Sequence, residues 1–187
     1  AIQIIDKEEN MKNNISNEEW EIRKKLADCY HLVDYFGWTE TIFNHISARL
    51  PGDEHYYLVN PFGLNYTEVT PENLLKVDLE GNKVEASEYD ANPAGFALHS
   101  AVHGARDDIR CLIHTHTTPI SAVVQKKNAF SHDSFYGAQL YGRVAFHPFE
   151  GITLFKDEKQ RMIDHLGDKH ILVLRNHGIA LRQHGRA

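Results

Sequence analysis

His114-Thr115-His116, late in the run CLIHTHT, sets two imidazoles two residues apart, and a third histidine, His177, lies in the distant segment LRNHG. Along an extended strand alternate side chains share a face, so residues i and i+2 stand about 6.6 Å apart and point the same way. Two imidazoles held like that can converge on one metal ion. A third from a separate turn would complete a three-histidine site with an open position for water or substrate, as in catalytic zinc centres. A histidine-rich chain yields such pairs by chance, and this one has 13 histidines in 187 residues. The surroundings add weight. Cys111, Leu112 and Ile113 form an apolar lead-in and Pro119 closes the segment, so the pair stands where a buried strand runs out. Strand ends facing a crevice are where α/β proteins place ligands.

The elements that must position these groups can be read in outline. Residues 1–15 are polar and irregular, a tail ahead of a domain spanning 16–187. Ser16 followed by Glu19 forms a capping box before a helix with apolar positions at Ile22, Leu26, Cys29, Tyr30, Val33 and Phe36, and Gly37 is a fitting stop. His45–Leu50 and Tyr56–Val59 read as strands around Pro51-Gly52-Asp53, and Asn60-Pro61-Phe62-Gly63 as a turn. Thr70-Pro71-Glu72 starts a short helix, and Lys76–Leu79 with Lys83–Ala86 suggest a hairpin. Pro93 opens a second main helix through about Arg106. After the histidine-bearing strand come a short helix near Pro119–Gln125, a helix over Asp157–Leu166, and a buried strand Ile171–Leu174 that delivers Arg175-Asn176-His177-Gly178. A single α/β domain with short hairpins fits this order better than regular βαβ winding.

Bulk composition bounds the function classes. Hydrophobic content of 42% and charged content of 25% are those of an ordinary globule. A net charge of -6, with only the short basic pairs Lys24-Lys25 and Lys126-Lys127, argues against nucleic acid as a partner. Cys29 and Cys111 read as small buried hydrophobes rather than a disulfide. No run is long enough to span a bilayer, and the first residues lack a signal-peptide pattern, so a cytoplasmic protein with no membrane contact is expected.

The segments FNHISARL (43–50), VNPFGLNYTEVTPENLLKVDLEGN (59–82), AGFALHSAVHGARDDIRCLIHTHT (94–117), YGRVAFHPFEGI (141–152) and LRNHGIAL (174–181), in this order and spacing, resemble the class II aldolase and adducin-head superfamily. The resemblance implies a three-layer α/β/α sandwich with a mixed, mainly antiparallel central sheet, and a homotetramer with sites at subunit interfaces. It implies a divalent metal, usually zinc, held by His114, His116 and His177. In catalytic members the metal polarises the carbonyl of a small hydroxy-carbonyl substrate and stabilises an enediolate, giving lyase or epimerase chemistry. By the same resemblance Asn44 and Gly63 match positions that bind the substrate's anionic end, and Tyr136 lies where some relatives contribute a tyrosine across the interface.

Two departures from the family pattern stand out. The acid/base carboxylate just ahead of the second main helix is replaced by Gly95, and the two phosphate-binding serines by Pro93 and Ala94. Losing a positioned acid/base removes about 10² to 10⁴ in rate. His99, one turn from His103 on that helix, is a candidate base or partner of a metal ligand; His147 and Glu150, in FHPFEG, are a second candidate pair. The Ala-Gly-Phe pattern resembles the adducin branch, so a non-catalytic binding or oligomerisation domain is the competing expectation. Family chains also continue past the Asn-His-Gly turn, whereas this sequence stops at Ala187, as either a truncated domain or one lacking that closing element would.

Overall fold

The computed structural model describes residues 15–151 and 156–184. The tail expected over 1–15 falls outside the described residues but for its last position. In chain order the elements are α1 (Asn17–Tyr35), β1 (His45–Arg49), β2 (Tyr57–Val59), a 3-10 turn at Tyr66–Glu68, β3 (Leu75–Val77), α2 (Pro93–Ala105), β4 (Ile109–Thr115), α3 (Thr118–Val124), α4 (Phe135–Ala138), β5 (Val144–His147), α5 (Lys156–Leu166), β6 (Ile171–Leu174) and β7 (Gly178–His184). The strands form one seven-stranded sheet in the order β3-β2-β1-β4-β7-β6-β5. Every neighbouring pair is antiparallel except β5 and β6. This is the mixed, mainly antiparallel sheet expected.

Alternation along the strands assigns the layers. On β4, Cys111 and Ile113 pack with Leu26 and Tyr30 of α1. Leu112 packs on the opposite face with Leu98 and Val102 of α2 and with Met162 and Leu166 of α5. On β6, Leu172 and Leu174 join that second cluster, while Val173 meets Val124 of α3. Helices α1 and α3 therefore cover one face of the sheet and α2 and α5 the other, giving the α/β/α sandwich. His114, two residues from Leu112, turns toward the α2 and α5 side.

Several local expectations change against the coordinates. Only half of the capping box forms: Ser16 accepts the Glu19 amide at 3.1 Å, but the Glu19 carboxylate is taken by Arg23 at 2.9 Å and Lys76 at 2.8 Å. Those ion pairs in a buried setting outweigh a solvent-exposed cap bond. Residues 70–73 make a hydrogen-bonded turn rather than a helix, with the Asn73 side chain accepting the Thr70 amide. The second hairpin arm reduces to a single bridge, Val77 to Lys83, because Asp78 folds the intervening turn back onto Glu80 and Asn82. Both cysteines are free and partly exposed rather than fully buried. Strand β7 was not expected. Its Arg182 looks like a surface residue in sequence, yet it is only 5% exposed because its guanidinium donates to the backbone carbonyls of Asp168 and Lys169. No helix among the described residues is long and apolar enough to cross a membrane.

The start of β1 is fixed by Tyr30, which is fully buried and accepts the Ile46 amide at 2.7 Å. Its hydroxyl stands 2.8 Å from Asn60 Oδ1. Tyr30→Phe leaves that amide buried without an acceptor, so a loss of about 1–3 kcal/mol in urea-melt stability is expected. An unchanged melt would show that another group takes over the amide.

A candidate metal centre and its cleft

The centre is built where three strands end together. Pairing of His114 with Ala180 and of Thr115 with Ile179 runs β4 against β7, and pairing of Leu174 with Gly178 closes the β6–β7 turn beside them. Within that turn Asn176 has φ of +56°, a left-handed conformation that asparagine tolerates better than most residues. Gly178 is required for another reason. A Cβ there would stand 2.5 Å from the Thr115 carbonyl oxygen and 2.6 Å from His116 Cδ2. Its missing side chain lets the turn drop His177 onto His116.

The three imidazoles converge as the sequence suggested. Ring centroids are 4.5 Å apart for His114 and His116, 4.9 Å for His114 and His177, and 4.7 Å for His116 and His177. One nitrogen from each lies within 4.8 Å of the other two. The hydrogen-bond pattern assigns the tautomers. His114 Nδ1 lies 3.0 Å from the Ile179 carbonyl oxygen, and His116 Nδ1 lies 2.6 Å from a Glu40 carboxylate oxygen. A carbonyl and a carboxylate only accept, so both Nδ1 atoms carry the proton and donate. The two Nε2 atoms face each other at 2.7 Å, within hydrogen-bond distance. Either a proton held between them or a shared cation accounts for so close a contact. The Glu40–His116 contact is also the carboxylate–histidine support that metal sites use. Burial pushes His114 well below the usual imidazole value, with His45 and then His116 lowering it further, and pushes His177 down to about 4, with His116 adding to the effect. The donor set fits a divalent metal.

The histidines line a cleft of about 400 Å³ whose apolar walls include Phe43, Phe62 and Phe149. Asn92 and Asn176 add polar edges. One lining residue that sequence reasoning missed is His45. It pairs in register with His114, and the two rings stack at 4.7 Å. His45 Nδ1 is 2.6 Å from His99 Nε2, the other side of His99 meets the Ser47 hydroxyl, and that hydroxyl reaches His103 Nε2 at 2.7 Å. A buried row of three imidazoles and a hydroxyl thus backs the cleft. Gly95 explains the space His45 uses: a Cβ at 95 would lie 2.7 Å from His45 Cδ2. The imidazole fills the room that a side chain at 95 would need. Glu40 was also missed, since nothing in a loop glutamate signals that it will reach a histidine 76 residues away.

The remaining candidates are distributed as follows. His99 is fully buried behind His45 and does not line the cleft. Asn44 spends its amide on the backbone, donating to the Trp38 carbonyl at 2.7 Å and accepting the His116 amide at 2.8 Å. It therefore orients the His116 backbone instead of facing a ligand. Gly63 has φ of +97° in the exposed turn that presents Phe62 to the cleft. Tyr136 is 79% exposed on α4, in a separate concavity with Val123 and Phe130, away from this chain's own cleft. Arg175 lies over the Phe146 ring at 4.7 Å and does not line the cleft. His147 and Glu150 belong to a neighbouring cluster.

Comparison with known proteins agrees with this geometry. The family model described as "Class II Aldolase and Adducin N-terminal domain" matches residues 24–181. The chain belongs to that family. It is 44% identical over 168 residues to a Caulobacter vibrioides protein named "Putative aldolase class 2 protein", covering 90% of this chain and 65% of the relative. It is 42% identical over 161 residues to Rattus norvegicus alpha-adducin, covering 84% of this chain and 22% of that one. A solved aldolase II superfamily protein from Pseudomonas syringae superposes with a TM-score of 0.88 at 41% identity, covering 91% of this chain and 69% of that one. The chain thus spans less than two thirds of the length of these curated relatives.

Two outcomes follow from the buried imidazoles. Burial first, and Arg49 second, push His103 down to about 3. Its folded value lies below the unfolded one of about 6.5, so its contribution to stability is present above that pH and is lost as pH falls toward the folded value. Between about pH 5.5 and 4 the unfolded ring holds a proton that the folded one lacks. His103→Gln should reduce the slope of stability against pH there by up to about 1.4 kcal/mol per pH unit, read from urea melts. Gly95→Ala should cost about 1–3 kcal/mol through overpacking, and much less in a His45→Gly background. Additive losses would mean that the two residues do not compete for space.

Proposed function

We propose that this chain forms the core of a divalent-metal-dependent, aldolase-type enzyme acting on a small hydroxy-carbonyl compound by lyase or epimerase chemistry. The observation that supports the reading is the convergence of His114, His116 and His177, one nitrogen of each within 4.8 Å of the others, at the wall of an apolar cleft and backed by Glu40 and the Ile179 carbonyl. Zinc is the metal best matched to three imidazoles with an open position. When bound, such a metal polarises a substrate carbonyl and stabilises enediolate charge.

The chain's own residues do the rest. His45 presents a ring edge beside the metal ligands where family members carry a carboxylate, and His99, Ser47 and His103 hold that ring in one orientation. In this reading His99 is a positioning residue that acts through His45. Phe43, Phe62 and Phe149, themselves exposed, give the cleft apolar walls against which the carbon skeleton of a small substrate would pack. No lysine or arginine lines the cleft among the described residues, and Pro93 and Ala94 bring no hydroxyls. Both facts favour an unphosphorylated substrate such as a hydroxy-acid or keto-acid. Tyr136, exposed on α4, would serve a neighbouring subunit's cleft in a homo-oligomer, a tetramer in our reading.

A second reading is supported by Gly95 and by the 42% identity to alpha-adducin: a non-catalytic association domain on the same scaffold. The experiments separate them. Zinc content of the purified protein should be abolished at the three-histidine site by His114→Ala. Glu40→Ala should weaken metal affinity about 10–100-fold. The metal-loaded protein should turn over members of an unphosphorylated keto-acid and hydroxy-acid panel in preference to sugar phosphates. Full metal loading with no turnover on either panel would leave the association domain as the surviving reading.

A further inference from the structure

A second group of donors lies next to the cleft and is used by nothing above. His147 ends β5, Glu150 lies in the loop that follows, and Glu158 sits in the first turn of α5. One ligand atom from each falls within 4.8 Å of the others. His147 Nε2 is 3.3 Å from Glu158 Oε1 and 3.8 Å from Glu150 Oε1. Donors that close are what one ion with bonds of about 2.0–2.2 Å can gather.

Burial makes the arrangement costly without a cation. Residue exposure is 1% for His147 and 3% for Glu158. Glu158 Oε2 is buried and has no hydrogen-bond partner among the described residues. An unpaired carboxylate oxygen away from water carries a large desolvation penalty. Glu150 differs: its side chain is 25% exposed and is gripped by Arg161, whose Nε lies 3.0 and 3.1 Å from its two oxygens. Arg161 thus holds Glu150 in place, whereas among the described residues His147 is the one basic side chain within ion-pair distance of Glu158. The far nitrogen of His147, Nδ1, is 2.8 Å from His165 Nδ1, an outer contact of the kind that fixes the ring of a metal-ligating histidine.

We propose that His147 Nε2 and the carboxylates of Glu150 and Glu158 bind a second divalent cation, distinct from the three-histidine centre. One imidazole with two carboxylates suits zinc or manganese(II). The ion would clip the Pro148–Gly151 loop to α5. That loop contributes Phe149 and Gly151 to the wall of the main cleft, so the cation would set the shape of the cleft without touching substrate. The inference stands on its own donors and does not require the three-histidine centre to hold metal.

The test is metal stoichiometry on the tag-free chain, loaded with zinc, dialysed, and analysed by atomic emission. The wild-type chain should carry about two zinc ions, and both Glu158→Gln and His114→Ala about one. The chelator-induced fall in Tm should be smaller for Glu158→Gln than for wild type. Wild-type and Glu158→Gln chains with equal zinc content would overturn the second site. If Glu158→Gln fails to fold, the double variant His114→Ala/His116→Ala decides: one ion retained supports the site, and none overturns it.

Discussion

The close approach of β7 to β4 at Gly178 is the constraint on which the rest of the site depends. Antiparallel pairing brings the Ile179 carbonyl to His114 Nδ1, and the same pairing sets Gly178 so near Thr115 that no Cβ could intervene. One backbone contact therefore does two things. It fixes the proton of His114 on Nδ1, leaving Nε2 as a lone pair, and it carries His177 to the rings of the other two histidines. The β1–β4 pairing adds His45 to the same layer, stacked on His114. The grouping of the three histidines and their neighbour is thus a consequence of strand register, which a one-residue slip would scatter to opposite faces.

Replacement of a carboxylate by glycine at 95 reads as a plain loss in sequence, but in three dimensions it is an exchange. The volume is taken by His45, a residue on another element and 50 positions earlier in the chain. A carboxylate at that place would bring negative charge beside the three histidines. An imidazole brings a neutral ring that either donates or accepts according to its tautomer. The row His45–His99–Ser47–His103 then passes hydrogen bonding into the protein interior, where burial lowers the basicity of every ring in it. The back wall of the cleft is therefore formed by weakly basic, buried imidazoles.

What was legible in the sequence was what depends on local pattern. The His-x-His spacing at the end of an apolar run marked two donors because strand periodicity is strict, and Asn-His-Gly marked the third because such a turn needs the conformational tolerance of asparagine and the small volume of glycine. Helices α1 and α2 announced themselves through apolar spacing and a proline start. Illegible features were those decided by partners far along the chain. His45 looked like an ordinary strand residue until register placed it against His114. Glu40 sits in a loop without periodicity, and Arg182 conceals β7 because its charge is satisfied by carbonyls that no local pattern reveals. Asn44 was legible as special but not in its role, because an amide can serve a ligand or the backbone, and here Trp38 and His116 claim both ends.

The buried polar groups also constrain how folding and metal binding are linked. A core that includes His45, His99, His103 and His114 replaces apolar packing with rings that must remain neutral and hydrogen-bonded. Any cation that binds the folded state and not the unfolded chain raises stability by mass action, and the gain is larger when the empty site is strained. The apolar walls of the cleft reinforce that linkage, since weak solvation of the imidazole edges makes the empty centre less favourable and the cation's attraction stronger. The three imidazoles gathered here would gain stability from a cation held between them.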